Sequence, residues 1–197
     1  KEKMSKSLDN FITIKEALKK FASEAIRFFL ISSHYRSPLN YSEEGVLEAK
    51  ASLDRLYTSL IDLDLRKENH SDDADIISPF REAMEDDFNV PSALAALFEI
   101  AKSINLAKES GNNKEANVLG ATLVHLSEPL GILQQNVEDY FRLGATLSNE
   151  EIQSMIDQRN KARDDKDFEL SDKIRDSLLE QGIVLEDTDK GTIWKVR

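Results

Sequence analysis

Between Val46 and Leu133 the apolar residues return every three or four positions, and this spacing most constrains what the chain can fold into. Val46, Ala49, Leu53, Leu56, Leu60 and Leu63 form one stripe, and Ile76, Phe80, Met84 and Phe88 a second. Val90, Leu94, Leu97, Ala101 and Ile104 form a third, followed by Ala116, Leu119, Leu123, Leu126, Leu130 and Leu133. A helix with one apolar stripe must bury it against a neighbour, so several in succession predict an antiparallel helical bundle over residues 42–133. The punctuation agrees. Ser42 is an N-cap candidate, residues 64–73 are polar and acidic, Pro91 falls in a first turn, and Ser110-Gly111-Asn112-Asn113 reads as a turn. Pro129 should kink or loosen the last turn of its helix.

Shorter elements flank this block. Thr13 and Glu16 form a capping box for a helix through Ile14, Ala17, Leu18 and Phe21. A second helix carries Ala22, Ala25, Ile26, Phe29 and Leu30 and ends before His34-Tyr35-Arg36-Ser37-Pro38, because a residue preceding proline is disfavoured in helix. Residues 34–41 then form an ordered connector, which completes a first segment over 1–41. On the other side, residues 134–147 read as a linker, and Ser148 with Glu151 restarts helix through another capping box. Helices are predicted over roughly 149–163 and 167–181, with Gly182 just past the end of the second. Ile183-Val184-Leu185-Glu186 and Thr192-Ile193-Trp194-Lys195-Val196 flank a turn-rich stretch and predict a β-hairpin, with Trp194 poised between hairpin core and surface. The predicted fold class is mainly α: a helical connector and a bundle, then a small α+β tail over 148–197 with a C-terminal hairpin.

Composition narrows the function classes. At 197 residues and 40% apolar content, the chain can bury one sizeable core, or a main core and a satellite. No uninterrupted apolar run approaches the roughly eighteen residues of a membrane span, and the first residues lack a secretory layout, so a cytoplasmic address and no membrane partner are expected. Cysteine is absent and His34, His70 and His125 are far apart in sequence, so no metal is expected in this chain. The net charge of −11 argues against a nucleic-acid partner, yet residues 1–41 carry +4, residues 42–140 carry −12 and residues 141–197 carry −3. A polyanion could meet the basic first segment while the acidic middle repels wrong docking. Because the sequence opens on Lys1, inside what reads as a loop, it is expected to be a piece of a longer protein.

Lys3-Met4-Ser5-Lys6-Ser7 would pass for an ordinary solvated loop on its own. Extended through Leu8-Asp9-Asn10-Phe11-Ile12-Thr13, it resembles the KMSKS loop of class I aminoacyl-tRNA synthetases, with Asp9 where that family usually has glycine. The resemblance implies ATP binding by Lys3, Met4, Ser5, Lys6 and Ser7. Mobile ammonium groups, Lys6 first and Lys3 second, can follow the charge that builds on the phosphates as pyrophosphate leaves. Phe28 to Ser42, with His34-Tyr35-Arg36-Ser37-Pro38 at its centre, resembles cysteinyl-tRNA synthetases in particular, and implies that Lys20 and Arg36 contact phosphates at the inner corner of a tRNA. Glu85-Asp86-Asp87-Phe88-Asn89-Val90-Pro91 continues that resemblance within the bundle. Its three carboxylates fit a solvated helix end capped by Asn89 better than a metal or acid–base pair.

The tail resembles the same family through Asp167-Phe168-Glu169-Leu170-Ser171-Asp172-Lys173-Ile174-Arg175-Asp176 and Gly182-Ile183-Val184-Leu185-Glu186-Asp187. The resemblance implies anticodon recognition by Arg163, Asp172, Arg175 and Asp187, with Phe168 able to stack on a base. Unstacked bases expose edges that guanidinium and carboxylate groups can read and faces that a ring can cover. Asp172 and Arg175, three apart, should share a helix face, with Leu170, Ile174 and Leu178 on the buried one. The family's activity is ligation of L-cysteine to tRNA-Cys at the expense of ATP. Its nucleotide-binding fold, HIGH motif and zinc site are expected to lie before Lys3, so that this piece alone would be inactive, monomeric and without zinc. A second reading, a free-standing helical tRNA-binding module, stays open at this point.

Overall fold

The computed structural model describes residues 12–65, 70–142, 147–188 and 191–196. Lys3, Met4, Ser5, Lys6 and Ser7, with Asp9, lie outside the described residues. The chain divides into two compact units, Lys1–Gln135 and Asn136–Arg197.

In the first unit, the capping box at Thr13 and Glu16 opens α1 (Ile14–Lys20): the Thr13 hydroxyl accepts from the Glu16 N–H at 3.2 Å, and the Glu16 carboxylate accepts from the Thr13 N–H at 2.8 Å. Next come α2 (Ser23–Ile31), α3 (Glu43–Leu60), α4 (Ala74–Glu85), α5 (Val90–Glu109) and α6 (Asn113–Ser127). Ser42, Asn89 and Asn112 cap α3, α5 and α6, each accepting a backbone N–H three residues on. Pro129 ends α6 at Ser127, and Glu128–Leu130 tighten into a 3-10 turn.

Helix α5 is central, packing against α3, α4 and α6. Leu53, Leu56, Leu97, Ile104 and Leu123 are fully buried at this junction of predicted stripes. Although α5 has the length and apolarity of a membrane span, seven of its side chains, from Ala93 to Ala107, are buried within the unit. One expectation needs correction. Phe88 does not join the α4 stripe. That helix stops at Glu85, Asp87 and Phe88 adopt left-handed backbone (φ 51° and 52°), and the Phe88 ring is 63% exposed. Ile14, Leu18 and Leu30 are likewise exposed, and the buried face of α2 instead includes the carboxyl of Glu24.

Glu24 gathers donors from distant parts of the unit. Its two oxygens accept from the Tyr57 hydroxyl (3.1 and 3.0 Å) and the Gln135 side-chain amide (2.8 Å), and one also accepts from the Leu133 N–H. Nearby, Gly131 ends the 3-10 turn at φ 65°, and its carbonyl accepts from Arg27 Nη1 at 2.6 Å. A Cβ at Gly131 would lie 2.6 Å from that same Nη1. Gly131→Ala is therefore expected to cost about 1–2 kcal/mol, combining left-handed strain with loss of the Arg27 bond. Urea unfolding followed by far-ultraviolet circular dichroism would show it, and an unchanged midpoint would contradict it.

The second unit begins with α7 (Val137–Arg142), within the stretch read as linker, and Tyr140 on it is buried. Ser148 and Glu151 form the predicted capping box at the start of α8 (Asn149–Asp164). Helix α9 (Phe168–Glu180) follows, then β1 (Ile183–Thr188) and β2 (Gly191–Val196), paired antiparallel with Asp187 opposite Thr192 and Leu185 opposite Trp194. Gly182, at φ 77°, makes the left-handed turn into β1. Ile152, Ile156, Ile174, Leu178 and Ile183 form the small core, with Leu185 and Trp194 packed against it. Leu170 is not in that core, contrary to expectation. It is 45% exposed and Ser171 takes the buried position, so the inward face of α9 is Ser171, Ile174 and Leu178.

Candidate nucleic-acid interface

The tail concentrates charge where α8 meets the hairpin. Positions 152, 156 and 159 step by four and three along the buried face of α8, and the third holds Arg159 rather than an apolar residue. Its side chain is only 7% exposed. The guanidinium meets Asp187 on β1 in a bidentate pair, Nη1 to Oδ1 at 3.0 Å and Nη2 to Oδ2 at 2.9 Å. One turn on, Arg163, half exposed, donates from Nη1 to Asp187 Oδ2 at 2.7 Å. Across the hairpin the Thr192 hydroxyl donates to Asp187 Oδ1 at 2.8 Å. The Arg159 guanidinium foremost, then the Thr192 hydroxyl and Arg163, hold the Asp187 carboxyl well below the usual carboxylate range. Asp187 in turn raises the pKa of Arg159, and the charge of Asp172 on α9 acts on Arg159 in the same direction.

The predicted tail residues thus fall into two sets. Arg163 and Asp187 belong to one hydrogen-bonded network, with the charge of Asp172 acting on it. Phe168, 62% exposed at the start of α9, and Arg175, exposed one turn after Asp172, have side chains that form no hydrogen bond or ion pair with another described residue. Arg159 escaped the sequence reading, although an arginine in the i, i+3 and i+4 series of a buried stripe is a visible signal that its charge must meet a counter-charge inside.

In the first unit, the polar run His34-Tyr35-Arg36 finds its partner at the turn between α4 and α5. The Tyr35 hydroxyl donates to Asp87 Oδ1 at 2.7 Å and accepts from Arg36 Nε at 2.8 Å. Arg36 Nη2 lies 3.2 Å from the same Asp87 oxygen, and the His34 ring stacks on Tyr35 with centroids 4.9 Å apart. The bond to Asp87 raises the Tyr35 pKa, so the phenol remains a donor. Arg36 is largely exposed, and Lys20 is half exposed, paired with Glu43 at the start of α3. Asn89 caps α5 as expected, accepting from the Ser92 N–H at 3.3 Å, while Asp87 bridges two loops rather than facing solvent alone. Sequence distance misleads for the histidines: the His70 and His125 rings stack with centroids 4.1 Å apart. Among the described residues, no three His, Asp or Glu side chains converge on a metal-holding arrangement.

Comparison with known proteins adds three family matches in chain order. Residues 1–51 match the tRNA synthetases class I (C) catalytic domain, residues 79–134 the DALR domain, and residues 148–194 the cysteinyl-tRNA ligase anticodon binding domain. Over 99% of its length the chain is 47% identical to a cysteine–tRNA ligase of Shewanella sediminis, covering 42% of that relative. It is 46% identical to a cysteine–tRNA ligase of Marinobacter nauticus, again over 99% of its own length and 42% of the relative. The match to that of Acinetobacter baumannii is 46% over 98% of the chain and 43% of the relative. The chain therefore spans less than half the length of the curated relatives it matches.

Proposed function

We infer that this chain is the tRNA-binding portion of a cysteine–tRNA ligase, a class I aminoacyl-tRNA synthetase, and from that premise its charged surfaces divide by task. The whole ligase would join L-cysteine to tRNA-Cys, converting ATP to AMP and pyrophosphate, as a cytoplasmic monomer. Lys3, Met4, Ser5, Lys6 and Ser7 contribute the ATP loop, where Lys6 and then Lys3 offer ammonium groups to the phosphate oxygens during adenylate formation. Within the chain we assign residues 1–41 to the loop and inner-corner contact, 42–133 to the bundle, 134–147 to the connection and 148–197 to anticodon recognition. Lys20 and Arg36 meet tRNA phosphates. With no cysteine in the sequence and no ligand set among the described residues, these side chains do not suit zinc, and any zinc of the parent enzyme would be held elsewhere.

The observation that carries this reading is the tail: exposed Phe168, Asp172 and Arg175, together with the Arg163–Asp187 network, in the stretch that matches an anticodon binding domain. A ring face, a carboxylate and free guanidinium N–H groups are the tools that splayed bases require. Asp172→Ala and Arg175→Ala in the full-length ligase should each lower aminoacylation kcat/KM about tenfold to hundredfold, the scale of one lost base contact. ATP–pyrophosphate exchange should stay within about twofold, because it needs no tRNA. Equal losses in the two assays would contradict the assignment. Lys6→Ala should instead depress pyrophosphate exchange along with aminoacylation, and exchange left at its normal rate in that variant would remove the loop from the mechanism.

A further inference from the structure

Arg159 occupies a position on α8 where the apolar series Ile152 and Ile156 would continue, and its Nε is buried without a partner among the described residues. A buried cation costs desolvation that an apolar side chain would not. In return its two terminal nitrogens grip both oxygens of Asp187. Two further donors, Arg163 Nη1 and Thr192 Oγ1, reach the same carboxylate. A carboxylate has about four lone-pair positions, and four donors fill them. In this state Asp187 has nothing left to offer the N–H of a base, and the Arg163 guanidinium is tied down with it.

The four bonds are unequal. Arg159 is enclosed and bidentate, whereas Arg163 makes a single bond with its side chain 48% exposed, and a solvent-facing pair of that kind is weak. We propose that Arg159 is a positioning residue for base reading: it keeps Asp187 in place and neutralised while the Arg163–Asp187 pair opens to receive an RNA base. One opened pair then supplies both an acceptor on Asp187 and a free guanidinium on Arg163. Each group exchanges a protein partner for an RNA partner. Without Arg159, Arg163 is the sole remaining cation bonded to Asp187 and stays clamped to it. This inference rests on the anticodon-reading function assigned to the tail.

The test uses the full-length ligase and two transcripts, tRNA-Cys and the same tRNA with its anticodon replaced. The wild-type ratio of the two Kd values tests the parent reading separately: a ratio near one means the tail does not read anticodons, whatever Arg159 does. Given discrimination, Arg159→Met should raise Kd for tRNA-Cys about tenfold, the scale of one lost base contact, while moving Kd for the replaced anticodon less than about twofold. Arg163→Met should lower the ratio similarly, and the double variant should fall no further than the weaker single one, because both act through one event. An Arg159→Met ratio equal to wild type, whether both Kd values hold or both rise together, overturns the proposal. So does an Arg163→Met variant with an unaltered ratio. If loss of Trp194 fluorescence shows that Arg159→Met unfolds the tail, Arg159→Lys takes its place: it keeps the charge but not the bidentate grip. It should lose part of the ratio, and full discrimination in that variant overturns the proposal.

Discussion

Glu24→Leu should lower the unfolding free energy of the first unit by about 3 kcal/mol. Apolar burial alone would predict the opposite, since the position lies on the inward face of α2 beside Ala25 and Phe28. The Tyr57 hydroxyl, the Leu133 N–H and the Gln135 side-chain amide all donate to this one carboxyl, and leucine would leave them buried or part-buried with no acceptor. Each stranded donor costs about 1–3 kcal/mol, partly relieved if water enters. Tyr57 gives no relief by ionising, because burial, the largest influence on its phenol and one that persists without Glu24, pushes it upward. Tyr57→Phe, which removes one of the three donors, should cost about 1 kcal/mol. Equilibrium urea unfolding of both variants checks the order, and a Glu24→Leu loss below that of Tyr57→Phe would contradict it.

In the second unit, Asp187→Asn should cost about 3 kcal/mol, because it keeps the shape of the side chain but leaves the enclosed Arg159 guanidinium without its counter-charge. The Arg163 share is small, since that pair faces solvent. Trp194 packs against the core of this unit, so its fluorescence on heating reports the loss. The pH dependence has a definite sign. Asp187 is depressed below its unfolded value, so its contribution is fully present above about pH 4, the ordinary carboxylate value. The contribution fades as pH falls toward the lowered native value. The stability gap between wild type and Asp187→Asn should therefore be constant near neutrality and narrow in acid. A gap that widened below pH 4 would mean the network is not what holds Asp187.

How far the fold was legible follows from what periodicity can encode. The stripes of α3, α5 and α6, the caps Ser42, Asn89 and Ser148, and the hairpin were readable because each signal is local, within three to seven residues. Misreadings came where the partner is distant. Glu24 counts as polar in any local window, yet its donors are 33, 109 and 111 residues away. Arg159 meets a carboxylate 28 residues on, beyond α9 on the first strand of the hairpin. Phe88, four positions after Met84, reads as inward, but the backbone leaves helix at Asp86 and turns the ring outward. At the candidate site, the exposure of Asp172 and Arg175 was legible from a three-residue step opposite Ile174 and Leu178, whereas the saturation of Asp187 was not, since four donors on one carboxylate is a fact of geometry.

The reach of the Glu24 carboxyl also sets an order of events on the ribosome. At roughly 5–20 residues per second, the donors at Leu133 and Gln135 are synthesised on the order of ten seconds after Glu24 itself. Tyr57 arrives early, but the other two donors trail the whole helical block. Until they emerge from the exit tunnel, α2 has water where its acceptor will later meet protein, and the nascent bundle can be sealed only by its final few residues.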